Sequence, residues 1–416
     1  MPSDSFLLTG RGRLLRPEPY DGSLPWAILV RGGRIAWIGP RMDAPDADAV
    51  TDLGAALVTP GLVNAHTHPA FLGDRSDEAA ARLSGAPYTG GGILRTVAAT
   101  REATDDALRA AIEGRLRAEL AAGTTTVECK SGYGLSIAEE LRALRLIGAA
   151  GEQVPTQIVR TFLGAHAAPV EADSIDAYAA LVAEEMLPAV AAAGVANFCD
   201  VFCDRGFFSL EASERILTAA AGLGLGTRMH ADQLVRTGAT ELAVRLGATS
   251  ADHLEQLDSQ GVAALAESRT VATLLPGPAI VMRSGLPPAR ALLDAGVTVA
   301  LASDANAGTF GSWGAMPLVI GLGATLLGMT VGEAVTAATA GGAASLGLRG
   351  RKGAIAGGAD ADIVAWDAEH EGAFALNLGG IRPARTWVAG EEAQSERADH
   401  AEGRDASSPL VEQEEP

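Results

Sequence analysis

Residues 61–68 read Gly61-Leu62-Val63-Asn64-Ala65-His66-Thr67-His68, a short apolar run that ends on two histidines one residue apart. A run of this length and composition reads as a buried strand. Residues i and i+2 of a strand point to the same side, so both imidazoles leave its C-terminal end together. The same pattern recurs downstream. Apolar runs at 124–130, 157–166, 197–203, 226–232, 248–255, 270–276 and 297–304 are separated by longer helix-like stretches. The alternation argues for parallel βα units. The clearest helix spans 104–122. Thr104 is its N-cap, Asp105 and Asp106 sit in the first turn, and Gly123 follows the end. Leu108, Ile112, Leu116 and Leu120 form its apolar stripe. A further helix starts at Thr330 with Glu333 as a capping box. Eight strands in roughly 290 residues predict an α/β chain with a (β/α)8 TIM-type barrel over 59–348. The alternative is a doubly wound open sheet, but no Gly-x-Gly-x-x-Gly turn follows the first strand.

The two ends read differently. Ile28-Leu29-Val30-Arg31 and Arg34-Ile35-Ala36-Trp37-Ile38-Gly39 flank Gly32-Gly33, which predicts a hairpin. Asp362-Ile363-Val364-Ala365-Trp366 and Arg385-Thr386-Trp387-Val388-Ala389-Gly390 are short strands. Residues 1–58 and 349–390 are therefore expected to be the two parts of a small β-sandwich subdomain. From Glu391 to Pro416 the chain is acidic and poor in large apolar groups, which predicts a disordered tail.

Composition bounds the function. The chain has 416 residues, 48% of them apolar, and 51 acidic against 32 basic residues, a net charge of −19. That apolar content excludes disorder over the whole chain. The charge disfavours nucleic acid as a partner. No stretch approaches the roughly 18–20 apolar residues of a membrane span, and the first residues carry no signal-peptide apolar region. Three sparse cysteines point to a reducing cytoplasm, with Cys199 and Cys203 as packing thiols.

Five of the seven histidines, His66, His68, His166, His230 and His253, fall at or near the C-terminal end of an expected strand. Barrels gather those ends on one face, where they place their chemistry. Neutral imidazole is a good ligand for Zn²⁺ and Fe²⁺. Asp304 closes the eighth run in Ala302-Ser303-Asp304-Ala305-Asn306. A carboxylate at a buried strand tip pairs, binds metal or titrates; alone, it reads equally as a helix cap. With His66, His68 and His230 it makes three nitrogens and one oxygen, the donor set of a hydrolytic metal site.

These residues carry a resemblance. Thr59-Pro60-Gly61-Leu62-Val63-Asn64-Ala65-His66-Thr67-His68 resembles the first-strand motif of the amidohydrolase superfamily. Within it, the chain resembles the imidazolonepropionase family from about residue 28 to 390. The discriminating segments are Phe71-Leu72-Gly73-Asp74-Arg75, Gly90-Gly91-Gly92-Ile93-Leu94, Glu128-Cys129-Lys130-Ser131-Gly132-Tyr133-Gly134 and Phe162-Leu163-Gly164-Ala165-His166. Others are His230-Ala231-Asp232-Gln233, Ala251-Asp252-His253-Leu254-Glu255 and Asp304-Ala305-Asn306-Ala307-Gly308-Thr309.

The resemblance implies hydrolysis of 4-imidazolone-5-propanoate, a cyclic amide of histidine degradation, to N-formimidoyl-L-glutamate. It implies one Zn²⁺ or Fe ion per chain on His66, His68, His230 and Asp304, and a homodimer. Arg75, Tyr133 and His166 match positions that hold the substrate, His166 as a second donor. Gln233, Asn306, Gly308 and Thr309 match further substrate contacts. Gln233 stands where Glu is expected, and an amide cannot take a proton near neutral pH, so proton transfer falls to His253 and Asp304. Ala305 and Ala307 stand where stiffer residues are expected, which predicts a looser loop. Some relatives bridge two metals through a carboxylated lysine on the fourth strand. The fourth run here has none and Lys130 follows the second, which favours one metal. The residue-level alternatives are a surface salt bridge of Arg75 with Asp74 or Asp77, and Tyr133 packing its loop on the barrel. The functional alternative is a deaminase acting on a nucleobase-like ring amidine.

Overall fold

The computed structural model of the chain describes residues 5–16, 24–86 and 91–393. Its strands are β1 (Ser5–Gly10), β2 (Trp26–Arg31), β3 (Arg34–Pro40), β4 (Ala49–Asp52), β5 (Val58–Pro60), β6 (Leu62–Asn64), β7 (Thr124–Lys130) and β8 (Gln157–Ala165). There follow β9 (Phe198–Cys203), β10 (Gly226–Ala231), β11 (Ser250–His253), β12 (Val271–Leu274), β13 (Val299–Leu301), β14 (Ile363–Trp366), β15 (Pro383–Val388) and β16 (Glu391–Ala393).

Eight strands, β6 to β13, form one sheet in chain order with parallel pairing throughout. The sheet closes on itself just beyond its two edge strands. Asp304 N donates to His66 O at 3.0 Å, His68 N donates to Ala305 O at 2.9 Å, and Thr67 bridges Ala305 in parallel. This is the expected barrel, with helices between its strands. The helix Asp105–Ala121 shows why they form where they do: Thr104 caps it through Ala107 N, and Leu108, Ile112 and Leu116 are buried against β7. Thr330 and Glu333 make the expected capping box.

The runs at both ends build two four-stranded sheets, in the orders β3-β2-β1-β4 and β16-β15-β14-β5. They share one apolar core of Leu8, Trp26, Ile28, Ile35, Val58, Ile363 and Trp387, so they form the expected sandwich. β5 joins the C-terminal sheet directly before β6 enters the barrel, which ties the subdomain to the first barrel strand.

The expected tail needs one correction. Glu391–Ala393 is not disordered but is an edge strand paired with β15. Main-chain hydrogen bonds form that strand without apolar side chains, and Arg385 adds an ion pair to Glu392. Residues 394–416, and Gly90 of the Gly90-to-Leu94 run, lie outside the described residues.

Candidate active site and metal centre

The ladder of two barrel strands ends before their chemistry begins, and that of a third ends on it. β6 stops at Asn64, β13 at Leu301 and β11 at His253, so His66, His68 and Asp304 lie on chain that has already turned into the barrel mouth. Asp232, His253 and Asp304 have φ of +50°, +83° and +50°. Such left-handed backbone is unfavourable for side-chain-bearing residues and clusters where function fixes it.

Four side chains converge there. His66 Nε2 lies 3.1 Å from His230 Nε2 and 3.3 Å from His68 Nε2. Asp304 Oδ1 lies 3.2 Å from His68 Nε2 and 3.6 Å from His66 Nε2. Ligands about 2.0–2.1 Å from a tetrahedral centre stand about 3.3–3.4 Å apart, so these spacings fit one ion. His66, His68, His230 and Asp304 are all buried. Burial holds His66 well below the usual histidine range, and the neighbouring Lys130 and imidazoles add to it. His66 Nδ1 is 2.7 Å from Asp252 Oδ2, which places the proton on Nδ1 and leaves the Nε2 lone pair facing two other imidazoles.

A layer of buried charge lies behind the four. Asp252 also accepts from Arg228 Nη2 at 2.9 Å. His230 Nδ1 is 3.0 Å from Asp200 Oδ2, close but outside hydrogen-bond geometry. Lys130 Nζ donates to Asp200 Oδ2 and Glu128 Oε1, both at 2.8 Å. Lys130 and Arg228 set two positive charges against the four of Glu128, Asp200, Asp252 and Asp304. A divalent cation with neutral imidazoles balances this set. Burial alone would lower Lys130, but Asp200 and Glu128 outweigh it and keep the ammonium charged. Lys130, on the second barrel strand rather than the fourth, thus reaches into the barrel as a counter-ion to Glu128 and Asp200.

A narrow cavity of about 30 Å³ opens above this centre. Arg75, Tyr133, His166, Gln233, Asn306, Thr309, His253 and Asp304 line it together with His68 and His230. Gly308 stands behind: a Cβ there would meet Arg75 Cζ at 2.3 Å, so only glycine lets the guanidinium pass. Arg75 is buried and pairs with Glu78, through Nε at 2.9 Å and Nη2 at 2.8 Å. Asp74 and Asp77, the surface partners weighed from sequence, bond to Ser76 and Arg95 instead. Arg82 also holds Glu78, at 2.9 Å, and donates to Gly308 O at 2.7 Å. Arg75 and Arg82 together bring two guanidinium charges to this end of the cavity. Tyr133 packs on Phe71 and His166, with ring centroids 5.8 and 5.2 Å away.

Three sequence expectations change. His166 was expected as a donor to substrate. Its Nδ1 bonds to Gly132 O at 3.0 Å and burial holds the ring well below its ordinary pKa, so Nε2 offers a lone pair and accepts. Asn306 was expected to contact substrate. Its amide is saturated within its own loop, accepting from Gly308 N and Thr309 N and donating to Asp304 O and Thr309 Oγ1. Its part is to fold the loop behind Asp304, so the loop is knotted tight despite Ala305 and Ala307.

His253 Nδ1 is 3.3 Å from Glu255 Oε1, and Nε2 is 3.9 Å from Asp304 Oδ2. Burial alone would lower the His253 pKa, but Glu255 and Asp304 outweigh it and raise it. For Asp304, burial pulls upward, and the hydrogen bond and charge of His68 hold it below the usual carboxylate range.

Sequence reasoning missed Ile93 and Phe202 of the cavity wall, the carboxylates of Asp200, Asp252 and Glu255, and Glu140. Glu140 accepts from Gly132 N, Gly134 N and Leu135 N and so shapes the loop that carries Tyr133. The available signal was a lone acidic residue within an otherwise apolar run, as in Phe198-Cys199-Asp200-Val201-Phe202, because such a carboxylate needs a partner.

Comparison with known proteins adds three findings. A family model described as "Amidohydrolase family" matches residues 57–393. Curated relatives carry the name imidazolonepropionase. That of Nocardia farcinica is 44% identical over 390 residues, covering 92% of this chain and 97% of the relative. That of Salinispora arenicola is 50% identical over 346 residues, covering 82% and 86%. Among solved structures, 5-methylcytosine deaminase of Klebsiella pneumoniae superposes with a TM-score of 0.74 at 16% identity, covering 95% of this chain and 98% of that one. A zinc-bound adenosine deaminase of Xanthomonas campestris gives 0.70 at 20%, covering 93% and 92%. At such identities the structural likeness speaks for the fold alone.

Proposed function

The chain belongs to the amidohydrolase family and, within it, to the imidazolonepropionases, and on that premise we propose that its buried cavity opens the ring of 4-imidazolone-5-propanoate by metal-assisted hydrolysis. The product is N-formimidoyl-L-glutamate. The observation that carries the site assignment is the convergence of His68 Nε2, His230 Nε2 and Asp304 Oδ1 within 3.6 Å of His66 Nε2. A Zn²⁺ or Fe²⁺ ion fits this set of nitrogen and oxygen donors. When bound, it supplies Lewis acidity that draws the pKa of water from ~15.7 toward ~7.

The chain's own groups do the rest. Arg75 receives the propionate arm at the guanidinium end of the cavity. His166 Nε2 accepts from a ring N–H. Asp304 takes a proton from the attacking water as the new C–O bond forms at the ring carbonyl carbon. His253 Nε2 faces that carbonyl oxygen and donates to it as charge develops there. The ring C–N bond then breaks, the proton passes from Asp304 to the departing nitrogen, and the carbonyl carbon becomes a carboxylic acid that releases the remaining water proton to solvent to give the new carboxylate. Gln233 orients substrate or water without carrying a proton. The three cysteines are free buried thiols, which suits a reducing cytoplasm. Among the described residues no helix is long and apolar enough to cross a membrane.

The Arg75→Ala protein tests the substrate end. Glu78 keeps Arg82 as a partner, so the fold persists. Losing a charge-assisted contact worth ~1.5–3 kcal/mol raises KM by about 10–100-fold with bound metal unchanged. Steady-state kinetics with metal analysis reads both, and an unchanged KM removes Arg75 from the site.

A further inference from the structure

β11 ends in a turn that side-chain-bearing residues avoid. φ is +83° at His253 and +69° at Leu254, two left-handed residues in succession. Each is unfavourable and persists only where surrounding contacts fix it. Here Leu254 N donates to Ala231 O at 3.2 Å and Gln256 N to Asp232 O at 2.9 Å, both at the end of β10. The turn brings Glu255 beside His253, with Oε1 3.3 Å from Nδ1 and both side chains 1% exposed. Glu255 Oε2 is buried and has no hydrogen-bond partner among the described residues. Nor does Glu255 belong to the groups of described residues spaced to hold a metal ion. A buried carboxylate whose one side-chain partner among the described residues is an imidazole nitrogen has its use at that nitrogen.

We propose that Glu255 is the positioning residue of His253: by accepting from Nδ1–H it fixes the plane of the ring, so that the Nε2–H of the doubly protonated imidazole is presented to Asp304 and the reacting carbonyl. The proposal deepens the reading of His253 given above and rests on it. Nδ1 anchored to a carboxylate is how an imidazole is committed to using its other nitrogen. Without that anchor, a buried ring at the mouth is free to rotate. The strained turn is then explained as the backbone path that places residues 253 and 255 face to face.

The test uses the metal-loaded full chain and four variants: Glu255→Gln, Glu255→Asp, His253→Asn and the double variant Glu255→Gln/His253→Asn. His253→Asn is expected to lower kcat by about 10²–10⁴-fold. Glu255→Gln is expected to lower kcat by about 10–100-fold with KM within about twofold and metal content unchanged. Glu255→Asp recovers part of that loss. In the His253→Asn background, Glu255→Gln has no further effect. A Glu255→Gln kcat within about twofold of the parent, or an equal loss in both backgrounds, overturns the proposal. Nitrogen-15 NMR of His253 in the parent supplies a readout independent of turnover and of how well Glu255→Gln folds. A proton on Nδ1 is expected, and a proton on Nε2 alone overturns the role of Glu255. If the parent leaves imidazolonepropionate untouched while Nδ1 is protonated, the substrate reading fails and the positioning of His253 stands.

Discussion

The Asp304→Asn protein is expected to lose its metal and its activity together. Asparagine keeps the size of the side chain and tolerates the left-handed backbone that Asp304 adopts, at φ +50°. What goes is the negative charge that faces His68 Nε2 at 3.2 Å and His66 Nε2 at 3.6 Å, together with the proton acceptor. Loss of Lewis-acid assistance removes several kcal/mol of transition-state stabilisation, so kcat/KM should fall by at least about 10³-fold. Bound metal should drop from one equivalent toward none. Secondary structure should match that of the chelated parent, because the barrel closure near residue 304 runs through main-chain bonds to His66 and His68. Metal analysis and steady-state kinetics on the same preparation check this. Turnover within about tenfold of the parent would remove Asp304 from the centre.

Lys130→Met is expected to have the largest effect on stability. The ammonium is fully buried and bonds to Glu128 and Asp200, while Asp252 and Arg228 complete the same charged layer. Methionine fills the space but leaves two carboxylates buried without their cation. Breaking a buried pair in this way costs about 3–5 kcal/mol. The sign of the pH dependence follows. Stranded carboxylates bind protons more readily in the folded state than in the unfolded chain. Stability therefore falls as pH rises, and the deficit relative to the parent shrinks toward acid pH as they take up protons. Urea unfolding of both proteins in the presence of chelator, at pH 5.5 and 8, measures the effect without interference from bound metal. A deficit below about 1 kcal/mol at the higher pH would mean that the Lys130 network contributes little.

Much of the barrel was legible because a strand buried on both faces is an apolar run, and each such run ended near a polar residue of the mouth. The pairing of His66 with His68 followed from strand alternation alone. The strands proved shorter than their runs at β6 and β13, since the last residues of each run leave the ladder to turn inward. That departure is itself what carries His66, His68 and Asp304 to a common centre.

What stayed hidden was non-local. Asp252 meets His66 across 186 residues of chain, and Lys130 meets Asp200 across 70. No local pattern encodes such a partner; only the unexplained carboxylate inside an apolar strand hints at one. The direction of the His166 hydrogen bond depended on Gly132 O, a main-chain group whose position no side-chain motif reports. Asn306 was read as a substrate contact from the family resemblance, yet its four hydrogen-bonding positions close a loop. The edge strand Glu391–Ala393 was missed because main-chain pairing asks nothing of hydrophobicity.

The central claim is tested most directly by following the absorbance of imidazolonepropionate on adding the purified chain, metal-replete, chelated, and chelated then resupplied with Zn²⁺ or Fe²⁺. The expected result is rapid loss of absorbance with the metal-replete protein at one equivalent per chain, none after chelation, and recovery on resupply. Equal rates with and without chelator, or no loss of absorbance from metal-replete protein, would contradict it.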